Sequence, residues 1–531
     1  MVNSPWKFCS ALSRKLWTQK MSLWCFISAV VFSAGIAFGQ TERPNIIVIY
    51  TDDMNMEDLG AFGGEVLTPN IDALVAEGAK LVNYYAAAPV CTPSRYGLLT
   101  GRYASRSLAL QVDYPATGPA FLRWNTHILP GDQTVAHILK AQGYVTGMVG
   151  KYHNIDNEAM QEYCDELDGE SNPDVMRCIQ KNYIMLQDHI KRITGFEYAE
   201  SLYANNLHAL GLPKALRFHN MEWVTQGALN FLEQHRSEPY FLYVATTIPH
   251  GPPPVASMKA DPRITPMGYL ENPPDVQPER ESVFQRVSAA GLPEEAAVYT
   301  WLDDAVGAIR DKLKETGLAE NTLIILASDH SGAFGGRGKM TLYEGGIHTP
   351  ALMWWPGKIP ANSVVDGLAA NVDIVPTIFD AAGISPPEYY VVDGVSLLPM
   401  ATGQQEQVRE DLFLEITYTR GILSGSWKYV AIRFPDYIEN QITPENTEAF
   451  NQEGLAATED VIHGTMRSRY NAHELYPGYF DRDQLYNLAT DKREQRNLAS
   501  DPQYADTLKS LQNKLSEYLA KFPHRFGEFK E

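Results

Sequence analysis

A small set of residues in this chain has the types and spacing to do chemistry together. Two carboxylates stand side by side at Asp52-Asp53, and a third, Asp329, is followed by His330. Three carboxylates make a hard-oxygen set suited to one Ca2+, with Mg2+ as the alternative, although an isolated Asp-Asp more often caps a helix or a solvated turn. His330 is a softer ligand than an amide oxygen and suits Ca2+ less well. Cys91 opens the run Cys-Thr-Pro-Ser-Arg, which continues through Thr100-Gly101-Arg102. Pro93 suits a first helical turn and Thr92 its cap, which puts Arg95 one turn from Cys91. Lys151, His153, His250 and Lys339 add basic groups; each alone reads as a surface charge or a structural group.

These residues need strands to bring them together. Ile46 to Tyr50 runs into Asp52-Asp53, and Tyr144 to Val149 runs into Lys151-Tyr152-His153. Tyr240 to Val244 runs toward His250, and Leu323 to Leu326 runs into Asp329-His330. Such β-branched apolar runs predict buried strands of a largely parallel sheet. Between them, Val224, Ala228, Phe231 and Leu232 share one helical face, as do Val298, Leu302, Ala305, Ile309 and Leu313. The fold class is α/β: a large, mostly parallel central sheet flanked by helices, whose ligands collect beyond the carboxyl ends of the strands. A smaller C-terminal α+β subdomain is expected from about residue 406, with strands at Leu412–Ile416, Trp427–Ile432 and Gln484–Tyr486 and a helix over Tyr504–Ala520. The connections at 154–220 and 251–295 carry no clear core pattern and read as long functional or surface-forming loops.

Composition narrows the class. At 531 residues and 44% hydrophobic the chain can bury a large core. Its net charge of −20 argues against a nucleic-acid surface, so an anionic substrate must be drawn by local cations. Lys7, Arg14, Lys15 and Lys20 precede an apolar run from Leu23 to Phe38, which reads as a leader cleaved after Gly39, with no stable membrane span afterwards. A single membrane anchor is the competing reading, but Ser and Gly interrupt the run, which barely reaches the length of a span. Removing Cys9 and Cys25 with it leaves Cys91, Cys164 and Cys178; the last two could close a short loop, and Cys91 is the odd one.

The Cys91 run resembles the C-x-P-S-R…T-G-R signature of the type I formylglycine-dependent sulfatases, within the alkaline phosphatase-like superfamily. The resemblance covers nearly all of the mature length. Asp52 and Asp53 match the family's paired metal carboxylates, and Lys151 and His153 match its Gly-Lys-x-His pair, with Tyr152 where Trp is usual. His250 matches the histidine facing the sulfate, and Lys339 the lysine before Tyr-Glu-Gly-Gly. Asp329-His330 is similar to iduronate-2-sulfatase-like members, where arylsulfatases have Asn.

The resemblance implies a hydrolase of sulfate esters, with Cys91 oxidised by a maturation enzyme to formylglycine and assisted by Arg95, Lys151, His153, His250 and Lys339. The metal set would be Asp52, Asp53, Cys91, Asp329 and His330. The expected substrate is a sulfated carbohydrate, and the expected compartment periplasmic or extracellular. Expected divisions are a signal peptide at 1–39, a catalytic domain at 40–405 and a C-terminal subdomain at 406–531. The alternatives are a phosphate or phosphonate ester hydrolase of the same superfamily, and a non-catalytic binder of sulfated glycans.

Overall fold

Sixteen strands punctuate the chain in the computed structural model, which describes residues 43–156, Cys164, 172–332, 338–435, Asn440, 475–479 and 481–530. The expected signal peptide lies outside the described residues. In order the strands are β1 Asn45–Asp52, β2 Ala79–Leu81, β3 Tyr84–Tyr85, β4 Val145–Lys151, β5 Tyr198–Tyr203, β6 Tyr240–Pro249, β7 Ile264–Thr265 and β8 Gly268–Tyr269. They continue as β9 Thr322–Ser328, β10 Ala351–Trp354, β11 Ser363–Val365, β12 Ala369–Ala370, β13 Asp411–Ile416, β14 Thr419–Ser424, β15 Trp427–Ile432 and β16 Asp483–Asn487.

Eight of them form the central sheet in the order β11-β2-β10-β9-β1-β6-β4-β5. The run from β9 to β5 is parallel throughout, and β10 is antiparallel to both its neighbours. Every residue of β1, β6 and β9 is buried, which is why these strands read as continuous apolar runs: helices cover both faces of a parallel sheet. The helices Met221–Gln234 and Ala297–Glu315 bury the faces expected of them, and Trp301 of the second donates its ring N–H to Glu222 of the first at 2.8 Å.

The segment 154–220 departs from the expectation. It contains β5 and the 21-residue helix Pro173–Ile193, which buries Val175, Cys178, Ile179, Tyr183, Leu186 and Ile190. These positions recur at helical spacing, but the charged and amide residues between them hide the stripe in a linear reading. Cys164 and Cys178 form a disulfide that ties the incoming chain to this helix, and Cys91 is the free cysteine among the described residues.

β13 to β16 form a second, antiparallel sheet in sequential order, with the helix Ala505–Leu519 beside it. Phe413 of β13 is fully buried against Tyr103, Tyr518 and Phe522, with ring centroids 5.0, 5.6 and 5.1 Å apart. Burying a side chain of this size contributes about 1.5–3 kcal/mol. Pro44 to Glu531 form one compact unit. Among the described residues, no helix is long and apolar enough to cross a membrane.

Candidate active site

The adjacent strands β9, β1, β6 and β4 deliver their polar ends to one place. In a regular strand, neighbouring side chains point to opposite faces. Asp52 ends β1 where its register with β6 shifts, and Asp53 adopts a left-handed φ of 69°, a break from strand alternation just where both carboxylates are needed. β4 makes a similar break: Gly150 has a φ of 87°, and a Cβ there would lie 1.8 Å from the carbonyl oxygen of Ala245 on β6. Only glycine allows that approach, which sets Lys151 and then His153, itself at a φ of 59°. Left-handed backbone at non-glycine residues costs free energy, and such residues cluster at functional sites.

Cys91 is the first residue of the fully buried helix Cys91–Thr100. The cap is Val90, not Thr92, whose hydroxyl is buried without a partner among the described residues. The helix starts two residues earlier than Thr92 capping allows, so that Cys91 sits at its head. Cys91 Sγ lies 3.2 Å from His330 Nε2 and 3.6 Å from Asp52 Oδ1. Arg95 reaches past the cysteine: its Nη2 is 3.0 Å from Asp329 Oδ2 and 3.6 Å from Asp52 Oδ1. Lys151 Nζ is 2.5 Å from Asp52 Oδ2, and Lys339 Nζ is 2.7 Å from Asp53 Oδ1. His250 Nε2 stands 3.8 Å from Asp53 Oδ2 and, with its side chain 14% exposed, marks the open side of the group. All the residues expected in the site from sequence are therefore brought together.

Burial and charge set the protonation of this group. Burial pushes the Cys91 thiol up to about 12, against the pull of Lys151 and Lys339. It also raises Asp52, but Lys151, His250, Arg95 and Lys339 outweigh it and hold that carboxyl well below the usual range. For Asp53, Lys339 and the two histidines likewise overcome burial. Asp329 is raised, because burial dominates over His330 and Arg95. Burial, then Lys151 and Arg95, holds His153 well below the ordinary histidine value, and burial brings His250 to about 4.

Several residues of the site were not read from sequence. Asn206, half-buried just past β5, accepts a hydrogen bond from Lys151 Nζ through Oδ1. Tyr243 of β6 accepts one from Arg95 Nη1 at 3.2 Å. Ser94 Oγ donates to the Asp329 carbonyl and lies 2.8 Å from Tyr50 Oη, so the serine of the motif joins β1, β9 and the cysteine helix. Fully buried His219, ahead of the helix Met221–Gln234, holds Thr247 Oγ1 at 2.9 Å. For Asn206 the one available signal was position beyond the carboxyl end of a strand, and β5 was hidden within a segment read as loop.

A family model described as Sulfatase matches residues 44–384. The chain belongs to the sulfatase family. The N-acetylgalactosamine-6-sulfatase of Canis lupus familiaris is 30% identical over 429 residues, 75% of this chain and 74% of its own. The steryl-sulfatase of Rattus norvegicus is 30% identical over 420 residues, 70% of this chain and 72% of its own. A structure from Bacteroides thetaiotaomicron, solved in work on the metabolism of multiple glycosaminoglycans, shares the fold with a TM-score of 0.61 at 22% identity, over 91% of this chain and 99% of that one. This sulfatase is a sulfuric ester hydrolase, and its family implies a metal ion and a formylglycine at the motif cysteine.

The residues present fit such an ion. Donor atoms of Asp52, Cys91, Asp329 and His330 lie within 4.8 Å of one another, as do those of Asp53, Cys91 and His250. The buried aspartates at 52, 53 and 329 face the buried cations Arg95, Lys151 and Lys339. That arrangement is balanced in charge, so a divalent ion would leave a net positive site, as an anionic sulfate ester requires.

Proposed function

We propose that this sulfatase removes sulfate from a carbohydrate, acting on a short chain end in a periplasmic or extracellular compartment. The observation that carries the reaction is the set of buried cations converging on Cys91. Support for the sugar comes from the N-acetylgalactosamine-6-sulfatase relative, from the glycosaminoglycan context of the solved neighbour, and from the leader. With this reading go a signal peptide at 1–39, a catalytic domain at 40–405, a C-terminal subdomain at 406–531 and a maturation enzyme acting on Cys91.

A thiol raised to about 12 offers almost no thiolate at neutral pH, so unmodified Cys91 is a poor nucleophile. Matured to formylglycine, it would supply the attacking hydroxyl, and one Ca2+, or Mg2+ in its place, held by Asp52, Asp53, Asp329 and His330 would polarise a sulfate oxygen. Lys151 and Lys339 offset the charge of the sulfate, and Arg95 fixes the carboxylates around residue 91. His153, neutral and buried, takes the proton released when sulfate departs. His250 contacts the entering ester. Its Nδ1–H is bonded to the Gly251 carbonyl at 2.6 Å, and as a neutral ring it presents an unprotonated Nε2, so the proton for the leaving oxygen falls to Lys339.

A panel of defined sulfated saccharides, run beside steryl sulfate, aryl sulfate, a phosphate diester and a phosphonate, tests this reading. The highest kcat/KM is expected on a sulfated sugar. Preference for steryl sulfate would remove the carbohydrate assignment, and preference for phosphate or phosphonate would remove sulfuryl transfer as the main activity. Mass spectrometry of the Cys91 peptide from active protein should show formylglycine, and unmodified thiol in fully active protein would overturn that step.

A further inference from the structure

Lys339 is held in the site from two sides. Its ammonium meets Asp53, while the segment that carries it, residues 338–347, is held by the C-terminal sheet through Gln484 and Lys428. Within that segment Met340 takes a left-handed φ of 67° and donates its N–H to the Pro89 carbonyl, two residues before Cys91. Gly346 closes the turn: a Cβ there would lie 2.3 Å from the Gly338 carbonyl oxygen. Tyr343 stacks on Tyr476 with centroids 3.7 Å apart and planes 8° from parallel, and its hydroxyl donates to Gln484 of β16 at 2.8 Å. The next residue, Glu344, donates its backbone N–H to Glu494 Oε2 at 2.7 Å. Both carboxylates meet Lys428 of β15, whose Nζ is 2.5 Å from Glu494 and 3.0 Å from Glu344.

Lys428 and Glu494 are fully buried. A buried ion pair is weak evidence for stability, because well-packed apolar residues often do as well. What it supplies here is direction, since Glu494 is aimed at one particular backbone N–H. We propose that Lys428, acting through Glu494 and Glu344, is a positioning residue for Lys339, so that the C-terminal sheet sets where the catalytic ammonium stands beside Asp53. The proposal rests on the role of Lys339 given above. Burial opposes the Lys428 charge, but Glu494 and Glu344 outweigh it and keep the ammonium protonated.

The test compares Lys428→Met and Glu494→Gln in the full matured chain with Lys339→Ala. Glu494→Gln keeps an oxygen for the Glu344 N–H while removing the charge, and it decides the matter if Lys428→Met does not fold. A fall in kcat of roughly 10- to 100-fold is expected with KM near the parent value, the size a misplacement of about 1 Å can produce. Lys428→Arg should recover most of it. Release of the first equivalent of alcohol should slow as it does in Lys339→Ala. Combining Lys428→Met with Lys339→Ala should cost no more than Lys339→Ala alone, because both act through one ammonium. Parental kcat in folded Lys428→Met or Glu494→Gln, or losses that multiply in the double variant, would overturn the proposal. Parental kcat in Lys339→Ala would instead overturn the role assigned to Lys339.

Discussion

His153 is the residue whose surroundings say most about its work. It sits at a left-handed backbone position, buried, with Nδ1 lacking a partner among the described residues. Burial, then Lys151 and Arg95, opposes its protonation, so it is neutral at pH 7 and free to accept a proton. Since a depressed pKa moves the loss of the neutral form to lower pH, the acid limb of kcat that belongs to His153 should lie well below the ordinary value of about 6.5. A limb at or above that value, abolished in His153→Ala, would count against the assignment. His153→Ala should still release one equivalent of alcohol quickly and then release sulfate slowly, whereas His250→Ala and Lys339→Ala should be slow from the first equivalent. A burst in His250→Ala but not in His153→Ala would reverse the roles. For the carboxylates, Asp53→Ala or Asp329→Ala should lose bound metal and activity together, because too few hard oxygens remain. His330→Asn, which offers an amide oxygen, should keep some of both. Stoichiometric metal with full activity in either alanine variant would remove the metal assignment.

The helix Cys91–Thr100 has to present Cys91 at one point, and its anchors are side chains from distant segments. Fully buried Asn371 accepts the Ala87 N–H through Oδ1 at 2.9 Å and donates from Nδ2 to the Ser94 carbonyl at 2.8 Å. Asn154, next to His153, donates to the Thr92 and Thr126 carbonyls at 2.9 and 3.1 Å, which ties the histidine to the head of the cysteine helix. Asn371→Ala should cost about 1–3 kcal/mol, because the Ala87 N–H stays buried without its acceptor. The expected sign is a lowered Tm together with a reduced kcat, and an unchanged Tm would show that the helix does not depend on this clamp.

The molecule is joined at larger scale by the disulfide and by the packing of the second sheet. The Cys164–Cys178 bridge joins residues 14 apart in sequence, for which chain-entropy arguments give about 3 kcal/mol. Replacing both cysteines by serine should lower Tm while leaving kcat per folded molecule near its parent value, since neither touches the site residues described. Equal Tm with and without the bridge would mean that the helix Pro173–Ile193 is held by its apolar face alone. The aromatic packing of Phe413, Tyr103 and Tyr518 and the Tyr343–Tyr476 stack hold the second sheet against the catalytic half, so the two are expected to unfold together.

Much of the site was legible in the sequence, because Asp52, Asp53, Lys151, His153, His250, Asp329 and His330 lie within a few residues of a buried strand end. A continuous apolar run followed by Asp-Asp, Gly-Lys-Tyr-His or Asp-His is local, and a parallel sheet sends such ends to one edge. The Cys-Thr-Pro-Ser-Arg run carried the family in the same way. β5, β14 and the helix Pro173–Ile193 were not legible, since polar and charged residues break their apolar positions into pieces too short to read in a linear sequence. Asn206 on Lys151, Asn371 on the cysteine helix, and Lys428 with Glu494 behind Glu344 were decided only by the tertiary structure. The partners in these contacts stand 55, 277 and at least 66 residues apart along the chain. No local pattern encodes such pairs, because what selects them is the cost of leaving a buried charge or N–H unmet once the sheets have packed.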